Sequence, residues 1–470
     1  MPSINHVYRL RIETLSPLCV LSGTRLYEEV DFYIGDDNKT TYVIDSNAAL
    51  ELALQRWIER QPSPEQQQAD LLAREEKLRQ RQQRNIAEIQ RFEQSPPRDP
   101  RKAEKEEQRL RTEAQKIKED LERLRRDQAE FAATGGTGPV VPPELLRSSG
   151  VSDLLKSNLL RKDDLADGSP IVRYAYAGRP EVKTGSSEIL ACVKDPADRL
   201  YLPGSSLKGA LRSALAWALA PERAGQQLLS YASARDNRQA AKPIEAAIFY
   251  GQKRRDDRRV SHDLLRDVMR AVHVSDSQPL ARSPVLLQVR VFPRGSPITV
   301  EAMPDGVTVS AVLRVEQYPF TDRAARDIID FGDWAQRLQP AALAAIGRQR
   351  AQALIAGEQA FFKRHTGAAE LSRFYDQLAK RLEQLNGTTA FLIPIGWGSG
   401  WRAKTLDERL RGEQREATFV AAVKQYNMKL NRQRSDRFRP GDLFPATRKV
   451  IMRNGQPWLP LGWVCVTIET

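Results

Sequence analysis

The chain has 470 residues, with 73 lysines and arginines against 60 acidic residues for a formal charge of +13. That length holds two or three ordinary domains, or one large domain with an insertion, and the charge suits a polyanionic partner, nucleic acid before membrane. No apolar run reaches the ~20 residues of a membrane span, Met1 to Val7 lacks a signal-peptide core, and the cysteines (Cys19, Cys192, Cys465) and histidines (His6, His262, His273, His365) lack zinc-site spacing, so no metal or cofactor and a reducing cytosol are expected.

Val7 to Leu15 alternates as a strand. Val30 to Ile34 and Thr41 to Ile44 form a hairpin around Asp36-Asp37-Asn38, a good turn sequence. Asp45 or Ser46 caps a helix running to about Arg60.

From Pro64 to Phe131 the composition shifts to Gln, Glu, Lys and Arg. Leu110, Ile117, Leu124 and Phe131 recur every seven residues, with Ala114 and Leu121 between them. Leu71, Leu78, Ile86 and Ile89 make a weaker stripe, and Ser95 to Pro100 breaks the run. The pattern predicts an antiparallel helical hairpin with arms of about 45 Å at 1.5 Å per residue. It is either a partner-binding arm or a solvated insertion. Gly135 to Pro139 links it back to the main domain.

Tyr174 to Val193 reads as another hairpin, irregular at Gly178-Arg179-Pro180 and Lys183-Thr184-Gly185. Tyr201-Leu202-Pro203-Gly204-Ser205-Ser206-Leu207-Lys208-Gly209-Ala210-Leu211-Arg212 follows. Here a β-type run ends at a Pro-Gly turn and a helix begins, with Ser205 or Ser206 as its cap. Open amides and the helix dipole attract an anion such as phosphate, and Lys208 and Arg212, four apart, share one face. A capped structural helix with two solvated cations is the plainer reading. The order Gly-Lys-Ser/Thr of a P-loop is absent.

Gly225 to Gln239 is helical or partly loop. Pro284 to Phe292, Ile298 to Met303 and Val307 to Val315 are strands, the last two joined by Pro304-Asp305-Gly306. Ala324 to Leu385 is mostly helical, and Arg448 to Met452 and Trp463 to Ile468 are strands. Strand sets separated by helices predict two ferredoxin-like halves.

Gly396-Trp397-Gly398-Ser399-Gly400-Trp401-Arg402-Ala403-Lys404-Thr405 is the second informative loop. Its glycines let the backbone approach a ligand. Its tryptophans stack on bases or pack in the core, and Arg402 and Lys404 suit phosphates. Lys253 to Arg259 and Arg432 to Arg439 are basic loops, either phosphate contacts or solvated faces. For hydrolysis, Asp36 and Asp37 lie in a turn, Asp256 and Asp257 among arginines, and His6 and His262 lack a visible partner. No catalytic residue is assigned.

Together these residues resemble the RAMP superfamily of CRISPR effector subunits, and within it the family of fifth subunits of type III-A Csm complexes. The resemblance rests on Val7 to Gly23 with Thr14-Leu15-Ser16-Pro17-Leu18, on Tyr201 to Arg212 after an Ile189 to Asp195 strand, and on Val274-Ser275-Asp276-Ser277. It extends to Gly396 to Thr405, Phe444 to Lys449 and Pro460 to Val464. It implies an α+β fold, an RRM/ferredoxin-like RAMP core with the inserted helical hairpin. The division is then 1–62 for the first part of the core, 63–134 for the hairpin, 135–320 for core with thumb-like hairpins, and 321–470 for a helical region and the C-terminal core. The implied function is a non-catalytic, cytoplasmic CRISPR RNA-binding backbone subunit that caps the 3′ end of the guide and supports guide maturation and target RNA binding. Its partners would be CRISPR RNA, complementary target RNA, and other backbone and small subunits. Ser205, Ser206, Lys208 and Arg212 would contact guide phosphates, and Trp397, Trp401, Arg402 and Lys404 would line the same groove with Arg448 and Lys449. The alternatives are a RAMP-family endoribonuclease acting on precursor or target RNA, and a coiled-coil interaction scaffold.

Overall fold

A computed structural model describes residues 4–60, 63–97, 99–133, 150–166, 168–180, 187–230, 239–253, 263–410, 416–429 and 431–470. The expected linker Gly135 to Pro139, Lys183-Thr184-Gly185, the basic stretch from Arg254 to Arg259 and His262 lie outside the described residues. The chain divides into two compact units, residues 44–172 and residues 1–43 with 173–470.

In the smaller unit, helix α1 (Ser46–Arg60) starts where Asp45 Oδ1 accepts the amides of Asn47 (3.0 Å) and Ala48 (3.1 Å), so Asp45 is the cap. Helix α2 (Pro64–Gln94) begins with a reciprocal Ser63–Gln66 capping box and leads through the Ser95–Pro100 break to α3 (Pro100–Ala133). Leu110, Ile117 and Leu124 are buried along the seam, as their seven-residue spacing predicts. On α2 the seam departs from expectation. Ile86 is 47% exposed and Asn85 is buried, its amide reaching the Leu110 carbonyl at 3.4 Å. The reason is phase: Leu78 plus seven is Asn85, so Ile86 falls one position outside the stripe. Arg81–Glu113 (2.6 Å) and Arg109–Glu88 (2.9 Å) cross between the antiparallel arms. Helix α4 (Val151–Lys156) packs on α1, and Arg56 forks onto Asp164 (Nη2–Oδ1 2.8 Å).

The larger unit begins with β1 (Asn5–Thr14), β2 (Leu21–Tyr27), β3 (Phe32–Ile34) and β4 (Thr40–Ile44), the last two pairing as the expected hairpin. After the smaller unit come β5 (Val172–Ala177), β6 (Glu188–Cys192), α5 (Gly204–Leu219), the short β7 (Gln252–Lys253), β8 (Val272–Val274), β9 (Val285–Phe292), β10 (Pro297–Ala302) and β11 (Thr308–Glu316). The unit closes with β12 (Ile329–Asp330), α6 (Pro340–Phe362), α7 (Ala369–Gln384), β13 (Ala390–Pro394), β14 (Arg448–Arg453), β15 (Gln456–Pro460) and β16 (Trp463–Glu469).

The first sheet has the order β13-β16-β1-β11-β8 and is antiparallel throughout. Set β13 aside and the four remaining strands run fourth-first-third-second, with α5 between the first two and α6 between the last two. That is the ferredoxin-like arrangement. Leu10 and Ile12 of β1 point into a core that includes Leu207, Leu211 and Leu215 of α5, while Arg9 and Arg11 face outward.

The second sheet runs β15-β14-β9-β10-β6-β2, with β10 and β6 parallel. It lacks the ferredoxin order, so the chain does not consist of two like halves. Pro304-Asp305-Gly306 hands the chain from this sheet to the first rather than closing a hairpin. Tyr174 to Val193 is not a hairpin either. Both edges of β6 are taken by β10 and β2, and β5 lies beside β4 instead.

Candidate functional site

The sequence segments singled out above gather into two clusters, both in the larger unit. In the first, Val274 to Ser277 closes the start of α5. The Gly204 amide donates to Asp276 Oδ1 at 2.8 Å, the Leu202 amide donates to Ser277 Oγ at 2.9 Å, and the Ser277 amide returns to the Leu202 carbonyl at 2.9 Å. Pro203 occupies the cap position and makes no side-chain bond there. Ser205 and Ser206 lie inside the first turn, so neither caps the helix. The carboxylate that follows β8 has taken that place, and the anion at this helix end is the protein's own. Only glycine fits at 204, where a Cβ would lie 2.1 Å from the Val274 carbonyl oxygen.

Lys208 and Arg212 do share a face. Arg212 is held by Asp267 (Nη1 at 2.8 and 3.1 Å), approaches Glu245 at 3.5 Å, and lies 3.9 Å over the Phe249 ring. Lys208 makes no ion pair at contact distance among the described residues. Burial lowers its pKa, a shift partly offset by Asp267.

The second cluster joins the loop after β1, the glycine loop and the turn before β16. Trp397 donates its amide to the Cys19 carbonyl (2.7 Å), Gly462 to Pro17 (2.9 Å) and Ile395 to Gly462 (2.8 Å). Gly396 has φ +81°, and its Cβ would meet Cys19 O at 2.3 Å. Trp397 and Trp401 are half-buried against the core. Trp401 meets Phe444 edge-on (4.9 Å), and the Lys449 ammonium sits 4.3 Å over the Trp397 ring. Lys404 is exposed. Burial, then the charge of Lys404, pulls the Lys449 pKa down. Neither lysine makes an ion pair among the described residues.

Arg402 and Arg448 point the other way, into a network that carries no sequence signal. Arg402 contacts Glu408 (2.7 Å) and Glu358 (3.4 Å), and Arg448 contacts Glu358 (2.6 Å) while lying 4.0 Å over Phe361. Arg350, 2% exposed, binds Glu408 (2.5 Å) and donates to the carbonyls of Thr405 (3.0 Å) and Arg402. Positions 350, 358, 402, 408 and 448 show no mutual spacing. The one hint is Gly357 inside α6, where a Cβ would lie 1.9 Å from Arg402 Nη1.

A second buried centre was also illegible in the sequence. Glu301, fully buried, accepts from Tyr174 (2.7 Å), Tyr176, the Cys192 amide (2.7 Å) and Lys194 (2.5 Å).

The expected hydrolytic candidates are held locally. Asp37 accepts from Lys39 N, Thr40 N and Thr40 Oγ1, bonds that hold its carboxyl below the usual range. Asp36 accepts from Tyr33 (3.3 Å), and His6 Nδ1 lies 3.3 Å from the Tyr8 hydroxyl. The Arg432 to Arg439 stretch, expected as a loop, starts instead as a short helix (Arg432–Asp436) because Asn431 Oδ1 accepts the Arg434 amide (2.9 Å), and Arg432 approaches Asp436 at 3.8 Å. Among the described residues no three His, Cys, Asp or Glu are grouped to hold a metal ion, and no helix is long and apolar enough to cross a membrane.

The sequence model of the RAMP superfamily matches residues 11–444. A curated protein named CRISPR system Cms protein Csm5, from Mycobacterium tuberculosis (strain CDC 1551 / Oshkosh), is 26% identical over 270 residues. Its namesake from strain ATCC 25618 / H37Rv matches equally. The match takes in 55% of this chain and 64% of each relative, less than two thirds of their length. The fold resembles a chain in the cryo-EM structure of a Csm–crRNA–target RNA ternary complex of a type III-A CRISPR-Cas system (TM-score 0.57, 18% identity, 98% of this chain, 100% of that one). It also resembles the crystal structure of T. onnurineus Csm5 (TM-score 0.51, 17% identity, 97% of this chain, 99% of that one).

Proposed function

The chain belongs to the RAMP superfamily, and from that premise we propose that it is a Csm5-like, CRISPR RNA-binding backbone subunit of a type III-A RNA-guided complex. Its partners are then CRISPR RNA, complementary target RNA and the other backbone and small subunits, in the cytoplasm. It is non-catalytic, caps the 3′ end of the guide, and supports guide maturation and target RNA binding. Base pairing reads the target while the protein reads backbone shape and phosphate.

One observation carries the reading. Lys449 of β14 sits over Trp397 of the glycine loop, and burial, then the charge of Lys404 on that loop, leave Lys449 short of counter-charge. A phosphate backbone supplies that charge, and an aromatic face suits a base. The ten residues expected to touch RNA then divide by role. Ser205, Ser206, Lys208, Trp397, Trp401, Lys404 and Lys449 face the nucleic acid. Arg212, Arg402 and Arg448 act through Asp267, Glu358 and Glu408 to hold the loops that carry the others.

Co-purification with the products of neighbouring genes, followed by sequencing of bound RNA, tests the reading. Short repeat–spacer RNAs cut uniformly at the repeat end would support it. Random cellular RNA, or none, would overturn it.

A further inference from the structure

A cavity of about 330 Å³ opens behind the glycine loop, lined by Gly357, Ala360, Phe361, Arg364, Arg402, Glu416, Gly441 to Pro445 and Arg448. Its size falls at the low end of small-ligand pockets, which run from ~300 to ~1,000 Å³. That admits one nucleotide and excludes a duplex. Its lining is amphoteric. Arg364 is exposed and makes no ion pair among the described residues, while Arg402 and Arg448 reach the wall already engaged by Glu358 and Glu408. Glu416 and Asp442 supply carboxylates, each accepting one backbone amide, from Gly441 (3.3 Å) and Arg439 (2.9 Å) respectively. Phe361 and Phe444 add aromatic surface, and Arg448 is already stacked on Phe361 at 4.0 Å.

A simple anion would meet the Glu416 and Asp442 carboxylates here, and a simple cation the Arg364 guanidinium. A nucleotide satisfies both sets. Its phosphate pairs with Arg364, its exocyclic amine donates to carboxylates, and its ring stacks on a guanidinium or aromatic plane. We propose that this cavity takes a single unstacked nucleotide of the bound RNA, with preference for amine-bearing bases. The inference rests on the RNA-binding reading and adds to it a second, base-sized site apart from the Lys404–Lys449 patch.

The test uses the full chain and a short single-stranded RNA carrying 8-azidoadenosine at one position at a time, photolysed and digested for peptide mapping. One RNA position is expected to label residues 360–364 or 441–445. Ala360→Trp, which fills the cavity from an exposed helix position, lowers that label by about ten-fold or more, the effect of one lost charge-assisted contact. Arg364→Ala does the same without adding bulk. Overall RNA affinity, carried by the lysine patch, falls by less. RNA binding with the label elsewhere, or a label that survives both variants, overturns the cavity and leaves the RNA reading standing. No RNA binding by the wild-type chain overturns both.

Discussion

The Asp276 carboxylate accepts the Gly204 amide at 2.8 Å, joining residues from opposite ends of the α5-to-β8 connection. The helix start is thus closed from outside its own sequence, and the two serines beside it are left to face outward or pack.

Asp276→Ala is expected to destabilise the chain by about 1 kcal/mol, the usual effect of losing a cap. Ser205→Ala and Ser206→Ala should each stay within about 0.5 kcal/mol. Urea denaturation separates the two outcomes, and equal losses at all three positions would return the cap to the serines.

Lys404→Ala combined with Lys449→Ala should weaken single-stranded RNA binding and flatten its salt dependence. With two phosphate contacts gone, the slope of log K against log salt drops by about 1.4 in magnitude, at ~0.7 per phosphate. Filter binding from low to moderate salt measures it. An unchanged slope would remove these lysines from the interface.

Glu358→Gln tests the network beneath the loop. It leaves Arg402 and Arg448, 14% and 11% exposed, facing a neutral amide. Breaking a buried pair typically costs about 3–5 kcal/mol. A thermal midpoint lowered by Glu358→Gln and untouched by Lys404→Ala is expected. The reverse order would mean that the arginines are held by something else.

The Lys449 pKa lies below the ordinary 10.5 of lysine, through burial and then through Lys404. A neighbouring phosphate raises it again, so RNA binding takes up a proton in the window between the lowered pKa and 10.5. Affinity should therefore fall as pH rises through that window. Folding stability gains over the same window, because the unfolded chain binds the extra proton. Titration with a base-resistant 2′-O-methyl RNA measures the slope, and Lys449→Arg should flatten it because guanidinium stays charged.

Tyr174 and Tyr176 have pKa values raised above the ordinary 10, chiefly by burial and then by Glu301. Their unfolded forms ionise first, so stability is retained below pH 10 and lost above it. Tyr176→Phe should lower stability at neutral pH and shrink the alkaline loss. A stability–pH curve parallel to wild type would contradict this.

Period and turn chemistry made part of this molecule legible. The alternation of β1, the β3–β4 turn and the heptads of α3 are local signals, and the structure follows them. Three features depend on distant residues and left no such trace. Asp276 caps a helix that begins 72 residues earlier. Arg402 and Arg448 look like unpaired cations in the sequence because Glu358, on α6, is invisible in their neighbourhood. Tyr174 looked like half of a hairpin until Glu301, 127 residues on, gave its hydroxyl a partner. Ile86 was misplaced for a different reason, since an asparagine in the seam hides the stripe it interrupts.

In β1, Arg9 stands opposite Val312 on one side and Glu469 on the other. The strand at the centre of this sheet is therefore made before both of the strands that flank it. Residues 44–172 can close on themselves during translation, while β1 waits with both edges open. Such long-range pairing folds slowly and exposes edges meanwhile. Without Trp463 to Glu469 the β16 edge of β1 would stand open as a template for other strands.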